Sequence, residues 1–567
     1  MKRHLRPIGL LVCGLLLASA GCRRGPKPLA VKAAEEARQS AMGIAVIPNV
    51  DRSFERADAV AKALSLPFDK ASQRKSFLDS LKAPEALANA IRMDGPAAIV
   101  AFAPKEKGKD PEVVVAATGK SPEALKAALS GLGQPLAVKD DAKSFKVGAE
   151  TAWLMQRENL LIAATSIEAL TLGAALAMES ATAGEDDVMV RLYPEAIAKS
   201  QGTDVKTAIT GYLATMTASL KGMPGQNPMV LSAIAGVFKS LGDRLTEVDN
   251  AGISIRIDAQ KGASLRFEAS PRKDSKLAGL LGKPMPYKLD TRVVPEGDAL
   301  AIMAFSPMDM ITSLWTDFRP LVAKDKAGEE AAKQIDVLIK GWTSGGSAAV
   351  SIVDKQMQIA GIYNVQKGVE PEAYLAATEG LMTGAWYKSL LSVGEMKTKI
   401  TMKRDKDLLL INTDQEAPKN LPPAMADAMK GMGLMSQTIA MLVTQGNFFF
   451  VSGKHAAATA KQLPSAPARK PSGLIATAVE ESAGADGFFY MDIGQFMKLG
   501  AAAMGAGENP MFSQMRLPLW LSYRGGKSAA LDVRIPIDFV RAVGVFAPML
   551  MRMGAVGGMG APGPGGL

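Results

Sequence analysis

Short apolar runs alternate with amphipathic stretches along this chain, and the runs recur in the same order in its two halves. An apolar strand, Gly43-Ile44-Ala45-Val46-Ile47-Pro48, precedes a helical pattern over Phe54 to Leu64. Leu300-Ala301-Ile302-Met303-Ala304-Phe305 precedes one over Met308 to Val322. A hairpin feeding a helix comes next. Its first copy joins Ala97–Phe102 to Val113–Ala117 through a Lys/Gly-rich turn at 105–109 and reaches Ser121-Pro122-Glu123-Ala124. Its second joins Ala348–Val353 to Met357–Tyr363 and reaches Glu370-Pro371-Glu372-Ala373. Proline in the first helical turn and glutamate beside the positive end of the dipole mark both helix starts, and Ser121 adds an N-cap to the first.

Four more blocks keep the order. Leu160–Ala164 matches Leu408–Asn412, and Asp187–Leu192 matches Asp486–Met491. Gly225-Gln226-Asn227-Pro228-Met229 matches Gly507-Glu508-Asn509-Pro510-Met511. A hairpin over Ile253–Ile257 and Ser264–Ala269 matches Leu519–Tyr523 and Ala529–Ile535. Six blocks in one order, at a period of roughly 250 to 300 residues, predict an internal duplication. The expected fold class is α+β: two tandem duplicated domains, each a mainly antiparallel sheet with helices packed on it. The expected boundaries are 41–285 for the first repeat and 286–550 for the second, which carries an insertion at about 425–471. Residues 551–567, rich in Gly, Pro and Met, are expected to be a disordered tail.

The N-terminus follows a different pattern. Lys2, Arg3 and Arg6 precede an apolar run from Ile8 to Leu17, too short to span a bilayer, and then Ala18-Ser19-Ala20-Gly21-Cys22. Residues 1–21 read as a signal peptide cut between Gly21 and Cys22. Ser19-Ala20-Gly21-Cys22 resembles the lipobox of bacterial lipoproteins, with Ser19 where that motif usually has Leu. The resemblance covers the signal alone. It implies that the Cys22 thiol carries a diacylglycerol and its amine a further acyl group such as palmitate. The absence of Asp after Cys22 resembles an outer-membrane address, facing the periplasm. Residues 22–40 then form a lipidated tether, with Arg23, Arg24, Lys27 and Lys32 placed to favour anionic headgroups. The Ala/Met/Gly-rich, duplicated body resembles the large α+β lipoproteins of δ-proteobacteria and myxobacteria.

Composition narrows the chemistry. Removing the signal lowers the formal charge from +10 to +7, and the charges are interspersed with few aromatics, so nucleic acid is not an expected partner. Cys13 leaves with the signal and Cys22 is acylated, so the body has no thiol nucleophile and no internal disulfide. His4 also leaves. His455 is the remaining histidine, too few for a His/Cys zinc site, and it has no G-x-S-x-G elbow to serve. Ser72-Gln73-Arg74-Lys75 lacks the companion motifs of S-x-x-K acyltransferases, and neither Gly119-Lys120-Ser121 nor Gly526-Lys527-Ser528 completes a phosphate loop. Neither a catalytic residue, a cofactor nor a metal is expected.

Two apolar features remain. Met425, Met429, Met432 and Met435 are spaced to form one stripe of a helix, a soft surface suited to binding. The segment from Ala208 to Val237 reads as a helical hairpin around the Asn-Pro turn. The expected function is a membrane-anchored, non-enzymatic envelope lipoprotein that binds or scaffolds a protein partner. The alternatives are a periplasmic carrier or chaperone for lipid or apolar polypeptide and, last, an enzyme of unknown type.

Overall fold

The structure is a computed structural model. It describes residues 29–542 apart from 64–67, 74–84, 105–109, 148–149, 222–235, 237–238, 241, 307, 355, 367, 392–397, 417–425, 428–429, 434, 445 and 504–515. It forms two compact units. One comprises the described residues up to Ala208 together with Val248–Ser270. The other comprises Ile209–Glu247 together with the described residues from Pro271 onward. The expected division at 285/286 is therefore displaced, and the Ile209–Glu247 segment belongs to the second unit although it lies within the first half of the sequence.

The first unit contains α1 (Ala34–Arg38), β1 (Ala41–Ile47), α2 (Val50–Ala63), α3 (Glu85–Ala90), β2 (Ala97–Phe102), β3 (Glu112–Thr118) and α4 (Pro122–Ser130). Then come β4 (Ala137–Lys139), β5 (Ala142–Val147), β6 (Glu150–Arg157), β7 (Leu160–Ala164), α5 (Ile167–Ser180), β8 (Val188–Leu192) and α6 (Pro194–Ser200). After α7 (Val205–Lys221), which passes into the second unit, the chain returns for β9 (Val248–Asp258) and β10 (Gly262–Pro271). The sheet order is β4-β5-β6-β7-β3-β2-β1-β8-β9-β10, antiparallel from β4 through β9.

Alternation along each strand decides the two faces. In β2, Ala98, Val100 and Phe102 are buried on one face with Ile44, Val46, Ala116 and Ile162, and α5 covers them with Leu170, Ala174 and Ala177. Gly173 of α5 permits the contact, because a Cβ there would stand 2.5 Å from the Phe102 ring. On the opposite face, Leu87 of α3 and Leu125 of α4 pack over Val113, Phe145, Leu154 and Leu161. The helix starts obey their local signals: Ser121 Oγ accepts the Ala124 N–H at 3.1 Å and Ser166 Oγ accepts the Ala169 N–H at 3.0 Å.

The segment expected to be a tether is docked from Leu29 onward. Leu29 and Ala37 are buried in the core beneath α5, and the Lys32 N–H donates to the Thr171 carbonyl at 2.8 Å. Apolar side chains at 29, 31, 34 and 37 have a core to bury into, which a free linker would leave in water.

The second unit contains α8 (Lys276–Leu281), β11 (Ala299–Phe305), α9 (Met308–Val322), α10 (Lys326–Gly341), β12 (Trp342–Val353), β13 (Gln356–Val365), α11 (Pro371–Thr383) and α12 (Ala385–Leu391). It continues with β14 (Thr398–Asp405), β15 (Leu408–Gln415), β16 (Ser436–Thr444), β17 (Asn447–Ser452), α13 (Ala456–Gln462) and α14 (Gly473–Glu481). It ends with β18 (Gly487–Asp492), α15 (Ile493–Ala503), β19 (Pro518–Arg524) and β20 (Ala529–Ile535). Its strands run β14-β15-β16-β17-β13-β12-β11-β18-β19-β20, antiparallel throughout.

Ten described strands thus follow one order in each unit. The β1–β2 ladder is bulged between Ala41 and Gly43, and the β11–β12 ladder between Ala299 and Ala301. The order also corrects two expectations. Leu408–Asn412 lies in β15, which holds the place of β5; the place of β7 is held by β17. The segment 425–471 is therefore no insertion into the fold, since β16 and β17 are interior strands.

A candidate binding cleft on the first unit

Of the residues expected to form sites, Gly21, Cys22, Met425 and Met429 lie outside the described residues, as does the turn at 225–229. Met432 and Met435 are described, and they do not share a helix face. Met432 sits half-buried in a turn whose carbonyl accepts the Met357 N–H at 3.4 Å. Met435 is buried in the bend before β16, its carbonyl accepting the Gln415 N–H at 2.7 Å. Gly433, with φ of 72°, breaks the helix between them. In α7, Tyr212 is exposed.

The Gly-Lys-Ser at 119–121 belongs to a helix cap, with Ser121 as its N-cap. His455 lies at the N-terminus of α13, half-exposed, its Nε2 2.8 Å from Oδ2 of Asp354. That contact, followed by the charge of Lys454, holds the Asp354 carboxyl below its ordinary range. Both partners lie in the open, Asp354 at the β12–β13 turn and His455 ahead of α13. No group of His, Cys, Asp and Glu that could hold a metal ion occurs among the described residues. Among them also, no helix is long and apolar enough to cross a membrane.

The feature that sequence did not reveal is a cleft of about 480 Å³ on the α5 face of the first sheet. Its floor is built by alternation on β1, β8 and β9. Ile44 lies opposite Arg191, Val46 opposite Met189, Met189 opposite Ser254 and Arg191 opposite Gly252, so these side chains share one face. Ile44 and Val46 are buried, and Arg266 and Glu268 of β10 extend the floor. Arg38 of α1 and Glu179 at the end of α5 form the wall. Burial works against the Arg38 charge, but bonds to Glu35 at 2.8 Å and to Glu179 raise its pKa above the ordinary value. Tyr193, beyond β8, has its phenol pushed up by burial, opposed by the nearby Arg191.

On the same face of the second unit the corresponding places are filled. The bulged strands β1 and β11 place Ile44 level with Ile302. Tyr490 then holds the position of Arg191, Phe488 that of Met189, and Trp520 that of Gly252. All three aromatic side chains are buried. A strap before β11 closes over them. Tyr287 stacks on Phe488 at a centroid distance of 5.5 Å, and burial pushes its phenol up to about 12.

The strap is pinned by Asp290, which binds Arg292 through contacts of 2.9 and 2.6 Å. Arg292 lies over the Phe449 ring at 5.5 Å and donates to the Pro464 carbonyl at 3.0 Å. In the first unit the chain before β1 runs as α1 beside α5 and leaves the cleft face of β8 and β9 open. An apolar floor ringed by arginines and carboxylates, in a volume typical of ligand sites, can hold an amphipathic group and fix it by charge.

A second pair of positions is shared. Asp187, ahead of β8, accepts the Ile257 N–H at 2.7 Å; Asp486, ahead of β18, accepts the Gly525 N–H at 2.6 Å. Both acids are buried and each ties a strand start to the strand beside it. In the first unit Arg56 of α2 also reaches Asp187 at 3.0 Å.

The molecule is thus an α+β protein with a large antiparallel sheet and an open cleft on one face of its first unit. No known family, curated protein or solved structure matches the chain.

Proposed function

We propose that the chain is a membrane-anchored lipoprotein of the cell envelope, acylated at Cys22 and facing the periplasm from the outer membrane, and that it works as a non-enzymatic binding or scaffolding module. We read its two units as a tandem duplication in which one copy keeps its sheet face sealed and the other uses it. The common strand order, the common bulge and the paired Asp187 and Asp486 support the duplication.

The observation that carries the binding reading is the first unit's cleft, where Gly252 and Arg191 stand in place of Trp520 and Tyr490. The test is a pull-down from detergent-solubilised membranes with the wild-type chain and with Gly252→Trp, which refills the cleft. A species captured by the first and lost from the second supports the reading. Equal capture by both contradicts it. Anchoring has its own test: Cys22→Ala should move the protein out of the membrane fraction, and retention there defeats the acylation claim.

The apolar floor of Ile44, Val46 and Met189 favours a second reading, a carrier for lipid or an apolar segment. Native mass spectrometry separates the two: lipid retained by the wild type and lost from Gly252→Trp favours the carrier.

A further inference from the structure

We propose that the β4–β5 hairpin of the first unit is a membrane-contacting edge, which seats that unit against an anionic lipid surface beside the anchor. The proposal rests on the reading of Cys22 as acylated. Leu136 and Val138 are 62% and 58% exposed, the two most exposed large aliphatic side chains among the described residues. Lys139, Lys143 and Lys146 are exposed around them, and Val138 lies directly opposite Lys143 in the ladder. Asp140 at the turn is the opposing charge on the hairpin's exposed tip. The matching hairpin of the second unit, β14–β15, has no comparably exposed large apolar side chain.

What commits this edge to lipid is where the N-terminal segment attaches. Leu29, the first described residue, is held by the hairpin itself. Its N–H donates to Asp141 Oδ1 at 2.8 Å, and its carbonyl accepts from Arg157 at 3.0 Å, while Arg157 also pairs with Asp141 at 2.8 Å. Asp141 is in the β4–β5 turn. Six residues lie between Cys22 and Leu29, and the seven steps reach at most about 25 Å. An acylated Cys22 therefore keeps this hairpin within tether length of the bilayer. Arg23, Arg24 and Lys27 carry the same sign of charge as the hairpin lysines. Apolar side chains next to lysines are the composition that inserts at the headgroup boundary, and a second such signal strengthens a lipid anchor.

Val138→Cys provides the test, because it gives the acylated mature chain its single free thiol. The full-length protein, purified from membranes, is labelled there with an environment-sensitive fluorophore and placed in vesicles of phosphatidylglycerol and phosphatidylethanolamine containing a doxyl-labelled lipid. Phe267→Cys on β10 is the control site. Quenching severalfold stronger at 138 than at 267, and reduced severalfold by adding Leu136→Asp, is the expected result. Equal quenching at both sites overturns the proposal. So does shielding of position 138 from aqueous iodide that rises with protein concentration in detergent, which would mark a second copy as the occupant. The mass of the N-terminal peptide reads acylation separately. An acylated protein with an unquenched hairpin sinks the hairpin alone; an unmodified Cys22 with a quenched hairpin sinks the anchor alone.

Discussion

The α5 face of the first unit and the α13–α14 face of the second are built on one strand order, yet one is open and the other sealed. The difference lies in a few side chains and in the path of the chain ahead of the first strand. In the second unit Phe488, Tyr490 and Trp520 fill the face, and Tyr287, Leu289, Val293 and Val294 arrive on the strap to bury them. In the first, Met189, Arg191 and Gly252 take those places, and the preceding segment packs against α5 instead. A fold that must keep a hydrophobic core can leave a sheet face open only where the strands beneath carry small or charged side chains, because large exposed apolar patches favour association. The opening is written into the side chains and does not depend on a different architecture.

Four substitutions probe this contrast. The largest effect is expected from Trp520→Gly, which copies the first unit's residue into the sealed face. The buried indole is lost, and stability should fall by about 4 kcal/mol in urea unfolding followed by circular dichroism. A loss below about 1 kcal/mol would show that the face does not hold the unit together. Tyr287→Ala removes the strap's stacked ring and should cost about 2 to 3 kcal/mol by the same measurement, and it should raise hydrogen exchange at the Phe488 amide.

Asp290→Asn is expected to be smaller, and it carries a pH signature. Burial tends to raise the Asp290 carboxyl, but the bonds to Arg292 outweigh this and hold it below the ordinary value. The folded pKa is depressed, so the stabilisation is present above the unfolded value and is lost as pH falls through the folded one. Wild type and Asp290→Asn should differ by about 1 to 2 kcal/mol at neutral pH, and the gap should close in acid. A gap that does not change with pH would remove the ion pair from the account. Gly252→Trp should change stability least, by about 1 kcal/mol or less. A Cβ at 252 meets only Val190 O at 3.6 Å and Glu268 Cβ at 3.8 Å, ordinary contacts, and the ring has the cleft to enter.

Much of the fold is legible in the sequence because the strands announce themselves by local pattern. Met308–Val322 forms α9 over the expected residues, and Ala97–Phe102 forms β2. Ser121 caps its helix as its position before Pro122 requires. What failed were features decided by pairing. Leu408–Asn412 and Leu160–Ala164 are both apolar strands that follow a tight polar turn, and local pattern cannot tell which neighbour each will take. The β15 strand joins β14 and β16, and the phenylalanines of β17 take the interior place of β7. Pairing is what makes 425–471 contribute two interior strands.

Met432 and Met435 do not share a helix face, because Gly433 takes a left-handed φ and the chain enters β16 directly after Met435. The cleft was invisible because its floor gathers single residues from strands more than two hundred positions apart. One signal is in the sequence: aligning Asp187–Leu192 with Asp486–Met491 sets Met189 and Arg191 against Phe488 and Tyr490, so the first segment lacks the aromatic bulk of the second.

Whether the first unit's open face is a binding surface is decided by the capture experiment with Gly252→Trp run beside its unfolding curve. The expected result is an unfolding transition within about 1 kcal/mol of wild type together with loss of whatever the wild-type chain captures from solubilised membranes. Capture of the same species at the same yield by a folded Gly252→Trp chain would contradict it.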